Sequence, residues 1–151
     1  LEEVSDPEIP VLTVVDLGVI RSVETDGKNA HIVITPTYSG CPAMKMIEDQ
    51  IIEKLKEKGV DTCTVELTLA PAWTTDWISE EGKNKLREYG IAPPENEPDK
   101  TVLFAKSTVV PCPQCGSSNT RMISLFGSTA CKAHYQCNDC LEPYDYFKCL
   151  R

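Results

Sequence analysis

The sequence is poor in basic residues and contains no long apolar run. No stretch approaches the roughly 20 apolar residues that a membrane helix requires, and the chain starts with acidic residues rather than a basic and then apolar signal sequence. We therefore expect a cytoplasmic protein with no membrane partner. Fifteen Lys and Arg against 23 Asp and Glu give a formal charge of −8. Because phosphate binding needs a basic stripe, this balance argues against a nucleic acid partner.

Histidine is also scarce, since His31 and His134 are the only two in the chain. His31 falls in a stretch that predicts a strand, and His134 lies between two cysteine pairs near the C-terminus. Neither is close in sequence to Cys41, the best candidate nucleophile, so the local sequence does not support a thiol enzyme with a histidine base. We expect a protein that is not an enzyme; a thiol enzyme built on Cys41 stays the alternative, because distant residues can meet in a fold.

Cysteine, by contrast, is abundant: the chain has eight, and six lie in the last 40 residues. Four of the six form two Cys-x-x-Cys pairs, and two such pairs can coordinate one tetrahedral ion from opposite sides. The 21 residues between the pairs lie just outside the common interval of about 15 to 20. A site with four cysteine ligands leaves no open position, so we predict a structural zinc ion rather than four disulfides. The predicted ligands are Cys112, Cys115, Cys137 and Cys140.

Four cysteines remain after the two pairs are assigned. Cys131 and Cys149 flank the second pair, so they could lie together and capture iron, with Cys41 or with a second subunit. Alternatively they pack in a small core, or Cys131 replaces one of the paired cysteines, since 15 residues separate it from Cys115. Cys63 lies in an alternating, strand-like stretch and is expected to be structural.

The pattern of the chain predicts an α+β protein with two lobes. The first, residues 1–90, is a small α/β sandwich with a mixed sheet of about three strands and two helices. A polar, proline-rich linker follows over 91–101, and residues 102–151 form a zinc ribbon. The predicted strands are 19–24, 31–35, 62–69, 121–125, 133–136 and 144–148, and the helices start at 42 and 79.

Cys41 is the second informative cysteine because Pro42 suits the first position of a helix. This places Cys41 at the N-cap, where backbone N–H groups and the helix dipole would lower the pKa of its thiol. The alternative interpretation is a half-buried, small apolar side chain that caps poorly.

An acidic loop is the third feature. Prolines at positions 7 and 10 and the turn-permitting Gly18 could aim Glu8 and Asp16 inward, where carboxylates could ligate iron beside a thiolate. On frequency alone they are solvated, turn-forming residues. Trp73 and Trp77 present a similar choice between docking a partner and filling the core, and core filling is the better default.

Several segments resemble a known family. The segments 6–10 (DPEIP), 16–18 (DLG), 39–42 (SGCP) and 70–77 (APAWTTDW) are similar to the iron–sulfur assembly family that includes SufT. In the C-terminal lobe, segments 126–129 (FGST), 131–133 (CKA) and 142–149 (EPYDYFKC) resemble the PaaD-like members of bacterial phenylacetate degradation. The resemblance covers nearly the whole chain.

This resemblance implies an accessory role. PaaD-like proteins accompany the oxygenase that epoxidises the ring of phenylacetyl-CoA, and the implied function is maturation of its iron–sulfur reductase component. The alternative is a structural subunit of the oxygenase complex. The implied cofactors are zinc on the four paired cysteines and a transient iron–sulfur cluster. Cys41 would be the exposed family cysteine with Asp6, Glu8 and Asp16 beside it, while Cys131 and Cys149 could add ligands. Whether the chain forms a homodimer stays open.

Overall fold

The computed structural model describes residues 1–94 and 109–148. It divides into two compact units, one formed by residues 1–82 and the other starting at Lys83. The α+β class predicted from the sequence is confirmed. No helix among the described residues is long and apolar enough to span a membrane.

The first unit is built on a three-stranded mixed sheet. Its strands are β1 (Ile20–Asp26), β2 (Asn29–Ile34) and β3 (Thr62–Leu67), in the order β1-β2-β3. The first two pair antiparallel, as the sequence Asp26-Gly27 predicted, and Gly27 has the positive φ of 59° that such a turn requires. β2 and β3 pair in parallel, which requires a crossover connection. The helix between them supplies it.

That crossover helix, α1 (Ala43–Glu57), buries one apolar face. Met44, Ile47 and Ile51 recur at helical spacing and are buried, in line with the apolar stripe expected from the sequence. Ile32 and Ile34 of β2 are buried in the core of the same unit. Burying an isoleucine side chain fully is worth about 1.5–3 kcal/mol, so these few positions supply much of the stability of the unit.

The second helix and the segment before it also follow the sequence. Trp73 is buried and its Nε1 donates to the carbonyl of Leu17 at 2.9 Å, which confirms the core-filling interpretation of this residue. A short 3-10 helix, Thr75–Trp77, precedes α2 (Glu80–Tyr89). The Ser79 hydroxyl accepts from the N–H of Gly82 at 2.9 Å, as expected of an N-cap.

The second unit contains a four-stranded sheet. The strands are β4 (Ile91–Ala92), β5 (Thr120–Ser124), β6 (Lys132–Cys137) and β7 (Pro143–Phe147), in the order β4-β7-β6-β5. Three of them lie within one or two residues of their predicted bounds. β4 differs, because residues 91 and 92 were expected to belong to the linker and instead pair in parallel with β7. Proline has no backbone N–H to donate to a neighbouring strand, so it is tolerated at an edge strand, where no such bond is needed. The prolines that follow β4 are therefore compatible with this short edge strand.

Residues 95–101 of the predicted linker lie outside the described residues, and the predicted domain bounds of 1–90 and 102–151 stay a prediction.

The core of the second unit is small and rich in tyrosine. Tyr135 stacks on Tyr144 with ring centroids 5.9 Å apart, and the Tyr144 hydroxyl donates to the carbonyl of Val110 at 2.7 Å. Cys112 and Cys137 belong to the same buried cluster. Two of the predicted zinc ligands are therefore also core residues.

Candidate metal centre and thiol site

The structure brings the four paired cysteines together in the second unit. Their sulfur atoms all lie within 4.8 Å of one another. The Cys112 and Cys140 sulfurs are 3.7 Å apart, and those of Cys115 and Cys137 are 3.6 Å apart. A tetrahedral ion with Zn–S bonds of about 2.3 Å needs sulfurs about 3.8 Å apart. These two distances match that value, and all four sulfurs are close enough together to surround one tetrahedral ion.

Backbone groups favour the metal-binding form of one of these sulfurs, that of Cys137. The N–H groups of Cys140 and Asp139 point at the Cys137 sulfur and lower the pKa of its thiol to about 7. At that pKa a large fraction of the sulfur is already thiolate near neutral pH, the form that binds metal. Cys137 is buried, whereas Cys115 and Cys140 are exposed. Zinc bound here would be partly accessible to solvent from one side.

A clasp of polar side chains, not predicted from the sequence, joins the two cysteine pairs. Asp139, inside the second pair, accepts hydrogen bonds from the Ser117 hydroxyl and, at 2.7 Å, from the Asn119 amide. Asn138 donates in turn to the side-chain oxygen of Asn119 at 3.1 Å. These bonds lower the pKa of Asp139, so its carboxylate stays charged. The signal available in the sequence was the polar run Ser-Ser-Asn at 117–119, one residue after the first pair.

Cys131 takes no part in the four-sulfur group of the described residues. Its side chain is buried, and its sulfur lies 3.0 Å from the Thr129 hydroxyl. The alternative in which Cys131 replaces one of the paired cysteines is therefore not the arrangement found. Cys149 lies outside the described residues, so a joint iron site of Cys131 and Cys149 stays a prediction.

Cys41 lies in the first unit, just before α1. The N-cap of this helix is Pro42, not Cys41 as predicted, because Pro42 already has helical angles of φ −70° and ψ −20°. The shift is one residue, and the Cys41 sulfur still receives a hydrogen bond from the N–H of Ala43. Cys41 is half-buried, and Tyr38 also hydrogen-bonds to its sulfur. No role for Tyr38 was predicted from the sequence.

The predicted lowering of the Cys41 pKa is wrong. Burial raises the pKa of this thiol above its ordinary value, and the carboxylates of Glu8 and Asp6 raise it further. The hydrogen bonds from Ala43 and Tyr38 act in the opposite direction but are outweighed. Desolvation and negative neighbours both disfavour a thiolate, and here they exceed the effect of the helix terminus. Free Cys41 is therefore a protonated thiol at neutral pH.

The structure brings two of the three predicted acidic residues near this thiol. Glu8 and Asp6 both act electrostatically on Cys41. Asp6 is buried, and its Oδ1 accepts from the backbone N–H groups of Glu8 at 2.7 Å and Ile9 at 2.9 Å. Asp6 therefore also shapes the turn that holds Glu8. The role of both residues as iron ligands stays a prediction.

Asp16 has clear structural partners. One of its oxygens, Oδ2, accepts from the backbone N–H of Thr13 at 3.0 Å and from its hydroxyl at 2.9 Å. The other, Oδ1, accepts from the Ser79 hydroxyl at 3.2 Å. Asp16 thus ties the acidic loop to the residue that caps α2. Its assignment to the cargo site stays a prediction.

Comparison with known proteins agrees with both halves of this architecture. Residues 1–67 match the family described as iron-sulfur cluster assembly protein, and residues 96–148 match the PaaD zinc beta ribbon domain. The crystal structure of a domain of unknown function, DUF59, from Bacillus anthracis is 31% identical with a TM-score of 0.51, covering 57% of this chain and 83% of that one. The fold and the cysteine group thus define an iron–sulfur assembly protein with an added zinc ribbon.

Two curated relatives narrow the assignment. A protein of Escherichia coli that is named as a putative subunit of 1,2-phenylacetyl-CoA epoxidase is 49% identical over 99% of this chain and 89% of its own length. The Fe-S protein maturation auxiliary factor of Porphyromonas gingivalis is 38% identical over 57% of this chain and 83% of its own. The chain belongs to the PaaD family. The assembly-family relatives from Porphyromonas gingivalis and Bacillus subtilis are named as Fe-S protein maturation auxiliary factors, not as catalysts, which agrees with the role expected from the sequence.

Proposed function

We propose that this protein assembles or transfers an iron–sulfur cluster for the reductase component of the oxygenase that epoxidises phenylacetyl-CoA. The observation that carries the proposal is the site at Cys41, where a half-buried thiol lies under the influence of two carboxylates, Glu8 and Asp6. Sulfur and carboxylate donors together suit iron, and cysteine thiolates hold iron–sulfur clusters. The zinc ribbon shapes a surface that the client recognises.

The raised pKa of Cys41 suits a carrier rather than a permanent ligand. Iron displaces the thiol proton when cargo binds, because only the thiolate coordinates metal. When a client thiolate takes over the iron, the departing Cys41 sulfur regains a proton readily. Cargo bound through a sulfur that prefers its proton is held weakly and released easily. A permanent cluster site would favour sulfurs with a low pKa.

The identity of the client is supported by the relative from Escherichia coli, whose name places it in phenylacetyl-CoA epoxidase. The oxygenase needs electrons from a reductase, and an assembly factor dedicated to it would act on the component that holds the iron–sulfur cluster. The acidic loop and Cys41 would meet the cluster, and the four-cysteine ribbon would keep its zinc throughout.

The test is maturation of purified apo-reductase under anaerobic conditions, with iron and sulfide supplied and this protein added. Cys41→Ser is expected to reduce the rate of cluster formation in the reductase to the level without the protein. Cys63→Ser is the matched control, because Cys63 is also half-buried in the first unit but lies within β3. Equal rates for wild type and Cys41→Ser would refute the proposal.

A second candidate is a structural component of the oxygenase complex. The name of the Escherichia coli relative, which calls it part of the epoxidase, favours this role. In that case the chain would co-purify with active oxygenase at a fixed ratio, and oxygenase stripped of it would lose activity even with its clusters intact. Full activity of the stripped, cluster-loaded oxygenase would reject this candidate.

A further inference from the structure

The edge strand β5 of the four-stranded sheet in the second unit exposes apolar side chains. Among the described residues β5 pairs only with β6, so its other side presents unpaired backbone groups. A register shift between Met122 and Ser124 leaves Ile123 without a partner on β6, and Ile123 is 51% exposed. Met122 and Phe126 are also exposed. We call Met122, Ile123 and Phe126, together with the free side of β5, the β5 surface.

The loop that carries Phe126 is held in place by several contacts. The ammonium group of Lys148 lies 4.1 Å from the centroid of the Phe126 ring and donates to the carbonyl of Leu125. Ser128 donates to Asp145, and at Gly127 a Cβ would come within 2.9 Å of an Asp145 oxygen. The exposed aromatic ring is therefore fixed before any partner arrives. A fixed aromatic side chain costs little entropy on binding, as is typical of interface hot spots.

The segment that contains β5 and β6 lacks acidic residues, unlike the rest of the chain. No Asp or Glu occurs between Lys100 and Asn138, although the chain has 23 acidic residues in total. The β5–β6 hairpin carries two basic residues, of which Arg121 is exposed and Lys132 is buried. The comparable edge strand of the first unit, β1, carries the exposed Glu24 and Asp26 against one part-buried Arg21. An acidic partner is therefore attracted to β5 and repelled from β1.

We propose that the β5 surface docks the client protein through an extended segment that combines apolar and acidic residues. Such a segment could pair with the free backbone of β5 while its apolar side chains cover Ile123 and Phe126, a known mode of peptide recognition. The acidic residues face Arg121. Nucleic acid is a poorer occupant because Lys132 and Lys148 are buried, so the described residues of this unit form no basic stripe at the surface. The identity of the client as the reductase rests on the proposed function.

The test measures binding of purified apo-reductase to the full-length, zinc-loaded protein at low and high salt. Ile123→Asp places a negative charge on the β5 surface and is expected to weaken binding at least about tenfold. Ile123→Lys removes the same apolar contact but keeps the favourable sign, so its loss is expected to be clearly smaller. Binding to wild type weakens as salt rises. Val23→Asp is the matched control, because Val23 is equally 51% exposed on the edge strand β1.

Each variant is checked for one bound zinc and for unchanged alkylation of Cys41, so that a folding defect is recognised. Wild-type affinity in Ile123→Asp, or equal losses for Ile123→Asp and Ile123→Lys, would overturn the proposal. A change from dimer to monomer in Ile123→Asp with unchanged reductase binding would assign the surface to a second copy of the chain and also overturn it. If Cys41→Ser matures the reductase normally while the Ile123 variants lose binding as expected, the docking surface stands and cluster transfer fails.

Discussion

Cys41 shows how competing local effects decide the state of a thiol. The N–H of Ala43 and the Tyr38 side chain favour thiolate, whereas burial and the carboxylates of Glu8 and Asp6 favour thiol and prevail. The sequence revealed the helix start but not the depth of burial, which depends on how the acidic loop packs. This is why the direction of the pKa shift was mispredicted although the acidic neighbours of Cys41 were named.

Removing the charge of Glu8 should make Cys41 more reactive. In Glu8→Gln the thiolate loses a negative neighbour, so the Cys41 pKa falls and alkylation proceeds faster at a given pH below that pKa. The measurement is the alkylation rate of Cys41 as a function of pH, in a Cys63→Ser background with zinc bound. Glu24→Gln, which changes an exposed carboxylate on β1, should leave the profile in place. A profile that moves to higher pH in Glu8→Gln would contradict this account.

The clasp at Asp139 links the two halves of the zinc site. It joins the second cysteine pair to the segment after the first through Ser117 and Asn119, without touching the sulfurs with its own side chain. Such outer contacts orient metal ligands, and their loss typically costs 10–100-fold in metal affinity.

Asp139→Ala should therefore speed the loss of zinc to a chelator by about 10-fold or more, the typical effect of losing contacts that orient metal ligands. The rate is followed with a coloured chelator at neutral pH. Glu142→Ala removes a nearby exposed carboxylate that belongs to the same turn region and should leave the rate unchanged. Equal rates for Asp139→Ala and wild type would show that the clasp does not hold the site together.

Strands and helices with local signals were predicted well. Asp26-Gly27 specified the first hairpin, the spacing of Met44, Ile47 and Ile51 specified α1, and the Ser79 cap specified the start of α2. β4 was missed because two residues before prolines carry no periodicity, and only its pairing with β7 makes it a strand. The Asp139 clasp was missed for the same reason, since its partners lie about 20 residues away.

The two units differ in what stabilises them. The first has an aliphatic core that includes Ile32, Ile47 and Ile51, whereas the core of the second contains Cys112 and Cys137 themselves. Zinc bound by such a site contributes folding free energy directly, because a preformed site rarely exists in the unfolded chain.

Removal of zinc should therefore unfold the second unit and spare the first. In hydrogen exchange with a strong chelator present, amides of β6 and β7 are expected to lose protection, while those of β2 and α1 keep theirs. The control is the same sample after zinc is restored, in which protection of β6 and β7 should return. Equal loss in both units, or no loss in either, would contradict separate stabilisation.

The proposed function requires one structural metal and one exchangeable cargo on the same chain. Zinc, iron and acid-labile sulfide measured together, on protein purified and then reconstituted without air, test this most directly. We expect one zinc per chain in wild type and in Cys41→Ser, with iron and sulfide taken up by wild type and lost from Cys41→Ser. Equal iron and sulfide in both proteins, or wild-type protein without zinc, would contradict it.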